Sequence, residues 1–130
     1  MGDLYQPTTR PGHRLPHAWL ERDGNRHSTL DLVGHDRFVL LLGGDNRMWR
    51  EAVATVAQRW AVTIEVAGIG GEPGSGVDYV DQGQWSALRE IGEQGAILVR
   101  PDHHVAWRAF APGNDPVQEL STAVSQVIGR

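Results

Sequence analysis

Phe38-Val39-Leu40-Leu41-Leu42-Gly43-Gly44-Asp45-Asn46-Arg47-Met48-Trp49, followed by the stretch that ends in Val62-Thr63-Ile64-Glu65-Val66, decides how this chain folds. The run Phe38 to Leu42 has no polar interruption and stops at two glycines, which predicts a strand covered on both faces and central in its sheet. Asp45 or Asn46 then offers an oxygen to the first free N–H groups of a helix. Met48, Trp49, Ala52, Val53, Val56, Ala57 and Trp60 repeat on one helical face. Val62 to Val66 is β-branched and alternating, so the order is strand, helix, strand with short joins, as a parallel crossover requires.

Downstream, Gly68 to Gly76 carries five glycines and a proline and is expected to be loop. A short helix is expected after Asp81, with Trp85, Leu88 and Ile91 three apart and Gly92 near its end. Ala96–Val99 and Val105–Trp107 flank Pro101-Asp102-His103, an antiparallel hairpin with turn chemistry between its arms. Asp115-Pro116-Val117-Gln118 has the order of an N-cap, a first-turn proline and a residue able to reach back. Leu120, Val124, Val127 and Ile128 continue it as a last amphipathic helix.

Upstream, Ala18-Trp19-Leu20 and Leu30-Asp31-Leu32 read as two arms of a hairpin around Asp23-Gly24-Asn25. Tyr5 to Gly12, with Pro7, Pro11 and Gly12 and no helical period, reads as a linker. The resulting order of β-α-β, α, β-β, α behind an N-terminal hairpin predicts an α/β thioredoxin-like fold with a central mixed sheet.

Composition narrows the functions open to such a fold. The 130 residues suit one domain, which at this size buries roughly two-thirds of its unfolded surface. Sixteen acidic against twelve basic residues give a net charge of -4, and the basic residues, all Arg, form no dense stripe. The electrostatic footprint of a nucleic-acid partner is therefore missing. Cysteine is absent, which removes disulfides, zinc-thiolate sites and thiol nucleophiles by covalent inventory. The longest apolar run falls far short of the roughly 20 residues that cross a bilayer. Met1-Gly2-Asp3-Leu4 lacks the order of a secretory signal, so a cytoplasmic location is expected.

The redox centre of the thioredoxin fold sits where the first central strand gives way to its helix. Here that place holds Gly43-Gly44-Asp45-Asn46-Arg47-Met48, with no sulfur for the helix N-terminus to activate. No proline stands near Gln94-Gly95-Ala96, where the second redox feature belongs. Six histidines raise metal binding, yet Pro16 breaks any helix joining His13 to His17, and adjacent His103 and His104 point opposite ways on a strand. Gly68 to Gly76 lacks the Gly-Lys-Ser/Thr ending of a phosphate-binding loop.

Tyr5 to Leu20, Ser28-Thr29-Leu30-Asp31-Leu32 and Gly95 to Arg108 together resemble, in the same order, the C-terminal thioredoxin-like domain of flavin-dependent aromatic-ring monooxygenases of the phenol and 2,4-dichlorophenol hydroxylase type. The resemblance implies that FAD and NAD(P)H serve a larger parent enzyme, whose flavin domain precedes this chain. Nothing here matches the glycine-rich dinucleotide fingerprint. It further implies a linker over residues 1–14, a domain over 15–130, and a non-catalytic role in domain and homo-oligomer contacts. A free-standing, redox-inactive binding protein is the alternative. No catalytic residue is carried over. Pro16, Trp19, Leu20, Arg100, Asp102, Trp107 and Arg108 stand as interface or family-signature residues. Trp49 and Trp60 are expected in the helix stripe and Trp107 in the core. Arg100, Asp102 and Arg108 are expected to cluster at the late hairpin, and an exposed apolar or aromatic patch is expected, centred on the Leu15 to Leu20 arm; the alternative is that Trp19 and Leu20 fold onto the sheet as an ordinary edge strand.

Overall fold

In the computed structural model, residues 8–34, 36–44, 46–71 and 76–129 are described. The decisive run forms β3 (Phe38–Gly43), in which every residue is buried. Its alternation sends Val39 and Leu41 to one face and Phe38, Leu40 and Leu42 to the other, and each set joins a separate core. The helix follows as α1 (Arg47–Trp60), capped by Asn46, whose side chain accepts from Trp49 N at 3.3 Å. Asp45, the other expected cap, lies outside the described residues. Trp49, Ala52, Val53 and Val56 are buried at the spacing of one helical face. Met48, one position before that face, points to solvent, a correction to its place on the stripe. Ala61 ends α1 in the left-handed region.

The return strand is β4 (Ile64–Gly70), parallel to β3 in register Phe38↔Ile64 to Gly43↔Ile69. It runs longer than expected: Gly68, Ile69 and Gly70 are strand, because β3 supplies partners as far as Ile69, Val80 pairs with Gly70, and Asp78 accepts from Gly68 N at 2.8 Å. β5 (Tyr79–Asp81) pairs parallel with β4 and antiparallel with β1 (Trp19–Arg22), a short strand the sequence did not announce. β2 (Asn25–Ser28) pairs with β1 around Asp23 and Gly24, both at positive φ. This two-residue turn makes the second arm begin at Asn25. The apolar Leu30-Asp31-Leu32 is therefore no arm but part of a 3-10 turn, Thr29–Leu32, with Ser28 and Asp31 in a capping box.

α2 (Gln84–Leu88) starts where Asp81 accepts from the N–H groups of Gly83, Trp85 and Ser86, each at 2.9 Å. It ends earlier than Gly92, with Glu90 at φ 62. β6 (Ala96–Val99) and β7 (Val105–Ala109) form the late hairpin, and β6 pairs antiparallel with β3. α3 (Pro116–Ile128) is capped by Asp115. Gln118 does not reach back. Glu119 does, accepting from Gly113 N at 2.8 Å.

The sheet order is β2-β1-β5-β4-β3-β6-β7. α1 and α3 cover one face, tied by Trp60 Nε1 donating to Ser121 Oγ at 2.8 Å. α2 and the segment from Leu15 to Ala18 lie on the other. The expected α/β thioredoxin-like core, β4-β3-β6-β7 with its helices, stands inside a wider mixed sheet that takes in the N-terminal hairpin.

Candidate interaction site

The corner where β3 meets α1 is packed shut. Gly43 N donates to Gly95 O at 3.0 Å, Gly44 N to Ile69 O at 2.6 Å, and the indole N–H of the fully buried Trp49 to Gln94 O at 3.1 Å. A Cβ at Gly43 would fall inside contact distance of the Gly92 carbonyl oxygen and lie 3.0 Å from Glu93 Cα. The position where this fold carries redox chemistry has no thiol, and at Gly43 it has no room for a side chain.

The segment from Thr8 to Leu20 is stitched to the domain along its length. Gly12 N donates to Val105 O, Val105 N to His13 O and Leu15 N to His103 O, at 2.8, 2.8 and 2.9 Å, beside a bridge between Arg14 and His104. At its upper end, the hydroxyl of the buried Thr9 donates to Arg89 O at 2.6 Å. One oxygen of Glu90 accepts from Thr8 Oγ1 at 2.6 Å, Thr9 N at 2.9 Å and Arg108 Nη1 at 2.9 Å. Arg108 Nη1 also donates to Thr9 Oγ1 at 3.0 Å. These donors, the Thr8 hydroxyl foremost and then the Thr9 amide and the Arg108 guanidinium, hold the Glu90 carboxyl down at about 2. The positive φ of Glu90 turns the chain out of α2 and presents that carboxylate to the segment.

Further along, Thr29 Oγ1 donates to Pro16 O at 2.8 Å and accepts from Ala18 N at 3.1 Å. Leu15, Pro16, Ala18 and Leu20 are buried. The expected patch over Leu15 to Leu20 is therefore largely absent, because alternate residues point inward against the sheet. Trp19 alone of its apolar members is open, at 41%. Even Trp19 has company: Arg26 stacks over its ring at 4.2 Å, and His17 meets it edge-on at 4.6 Å.

The late turn also divides differently from expectation. Arg100 and Asp102 do pair, and Arg100 holds the Asp102 carboxyl below its usual value. Arg108 is not with them, because the register Ile97↔Arg108 lifts it away from the turn toward Glu90. Trp107, on the opposite face, is half-buried and packs edge-on against Trp49 at 5.5 Å, so it borders the core and does not fill it. Thr9, Glu90 and Thr29 were not visible from the sequence. They carry no apolar period, and Glu90 meets Thr9 across some eighty residues.

Among the described residues no group of three or more His, Cys, Asp or Glu is placed to hold a metal ion. None of their helices is long and apolar enough to cross a membrane.

A family model described as aromatic-ring hydroxylase, C-terminal, matches residues 8–130. The chain is 41% identical to a 2,4-dichlorophenol 6-monooxygenase of Cupriavidus pinatubonensis, over 98% of this chain and 21% of that protein. It is 38% identical to a phenol 2-monooxygenase of a Pseudomonas species, over 93% and 19% respectively. Among solved structures, the flavin-dependent monooxygenase PieE, in complex with FAD and substrate, superposes with a TM-score of 0.84 at 44% identity, covering 97% of this chain and 21% of that one. Yeast Sco1 superposes at 0.64 with 10% identity, a likeness of fold alone. The chain spans about a fifth of the length of the curated relatives it matches. It belongs to the aromatic-ring hydroxylase C-terminal domain family.

Proposed function

We propose that this chain is the non-catalytic C-terminal interaction domain of a cytoplasmic, FAD- and NAD(P)H-dependent monooxygenase acting on phenolic aromatic rings. The chemistry is assigned to a flavin-binding part that precedes it. Residues 1–14 are the connecting segment in this reading, and 15–130 the domain. The observation that carries it is the Thr9–Glu90–Arg108 clasp, a set of long-range bonds spent on fixing the segment through which a preceding domain would enter. The domain itself does not suit a dinucleotide. Gly43, at the end of the central strand, faces the Gly92 carbonyl and donates its N–H to Gly95 O, where a pyrophosphate would need open backbone N–H groups.

Reading the coding sequence immediately upstream of Met1 tests the proposal. An in-frame flavin-binding domain supports it, and a stop codon before a ribosome-binding site points to the free-standing binding protein instead. The purified 130-residue chain is expected to be colourless. A flavin absorbance band that survives gel filtration contradicts the assignment of the cofactor to the preceding part.

A further inference from the structure

The largest exposure among the large apolar side chains of the described residues is that of Phe110, 63% open just beyond the end of β7. Its position is not incidental. Arg108, two residues earlier on the same strand, places its guanidinium 5.6 Å from the Phe110 ring while bonding to Glu90 and Thr9. Phe110, Arg108, Glu90 and Thr8 therefore form one connected surface, and the chain runs from it toward residue 7. Ala111, also exposed, extends the apolar part. The contrast with Trp19 is direct. Trp19 is covered within the chain by Arg26 above the ring and His17 at its edge, whereas Phe110 is met by one guanidinium, whose Nη1 is engaged at the clasp.

We infer that the surface of Phe110, Ala111, Arg108 and the clasp is where the preceding flavin-binding part of the same polypeptide seats. This rests on the function proposed above and adds the face of contact to it. The occupant follows from connectivity. The relatives are about five times the length of this chain, and Thr8, the first described residue, bonds to the same Glu90 oxygen as Arg108, whose guanidinium lies against the Phe110 ring, so the described chain starts at this surface. An aromatic ring next to a charge-assisted network matches the composition of an interface centre, where aromatic residues and Arg are enriched. The clasp would also set the angle of approach, because its bonds fix both the backbone of Thr9 and the side chain carrying the ring's cation.

Hydroxyl-radical footprinting of the intact protein, read by mass spectrometry, tests the inference. If the purified protein carries no flavin, the proposed function fails, and the inference with it. If flavin is bound, Phe110 is expected to lose its oxidation relative to its intrinsic reactivity, at every protein concentration, while Trp19 and Met48 remain reactive. Full reactivity of Phe110 in the flavin-bound protein overturns the inference and leaves the proposed function standing. Protection that appears only as concentration rises assigns the surface to a second copy and equally overturns it. Phe110→Glu provides the second measurement. Faster proteolytic separation of the two parts, with the far-ultraviolet spectrum unchanged, is expected, and an unchanged separation rate counts against the surface.

Discussion

The corner at Gly43 and the clasp at Glu90 lie at opposite limits of what a thioredoxin-like domain can do with a strand end. At the corner, glycine lets two backbones meet, a tryptophan is wholly buried, and Gly43 leaves no space for a side chain. At the clasp, a half-exposed carboxylate gathers donors from Thr8 and Thr9, some eighty residues away, and from Arg108, whose guanidinium lies over the exposed Phe110 ring. The first region has given up the chemistry of the fold and serves stability. The second ties the segment from Thr8 to the end of α2 and to β7 through polar contacts, and in the function proposed above these brace a junction.

The largest expected effect falls on the corner. Trp49→Ala removes a fully buried ring and its bond to Gln94 O, and should cost about 3–5 kcal/mol in denaturant unfolding. A loss under about 1 kcal/mol would show that the corner is not sealed. Gly43→Ala is expected to cost about 1–3 kcal/mol, since the Gly92 and Glu93 backbone must move to admit a methyl group. If it is neutral, the steric closure has been misjudged. Trp107→Ala should cost less than Trp49→Ala, about 1–2 kcal/mol, because only part of its ring is covered. Equal losses at the two positions would place Trp107 in the core after all.

The clasp should show itself through pH. In the fold the Glu90 carboxyl stays ionised down to about 2, against an ordinary 4.5, so the unfolded chain takes up its proton first as pH falls. The stabilisation is complete above about 4.5 and is lost between there and about 2. Its size is small, about 1 kcal/mol or less, since the side chain is 40% exposed and screened by water. Glu90→Gln should flatten the pH dependence of unfolding across that window, and an identical slope in both proteins would remove the clasp from the account.

The same two regions show what the sequence could disclose. Phe38 to Leu42, the helix face from Trp49 to Val56, and the Asp115-Pro116 start of α3 are local patterns with a period, and they settle the core of the fold and its empty redox position. β2 and β5 escaped because they are short and carry little apolar alternation; their strand character comes from neighbours, as Asn25 paired to Arg22 and Tyr79 paired to Ile69 show. The patch over Leu15 to Leu20 was misplaced for a related reason. Which alternate side chains turn inward depends on Thr29 holding Pro16 O and Ala18 N, a bond set across the chain. Arg108 stood out in the sequence, yet its partner Glu90 did not, because nothing local marks a carboxylate at the end of a one-turn helix as the acceptor for a distant threonine.

Amide hydrogen exchange on the chain and on its Glu90→Ala variant, which removes the shared acceptor, tests most directly whether the clasp holds the segment from Thr8 to Leu15. The amides of Thr9, Gly12 and Leu15 are protected in the parent chain if the segment is held as described. In the variant, Thr9 should exchange at an unprotected rate and Gly12 faster than before, with the amides of Leu40 and Leu41 in β3 unchanged. Exchange at Thr9 that is unaltered by the substitution, or that rises only together with the β3 amides, would contradict the account.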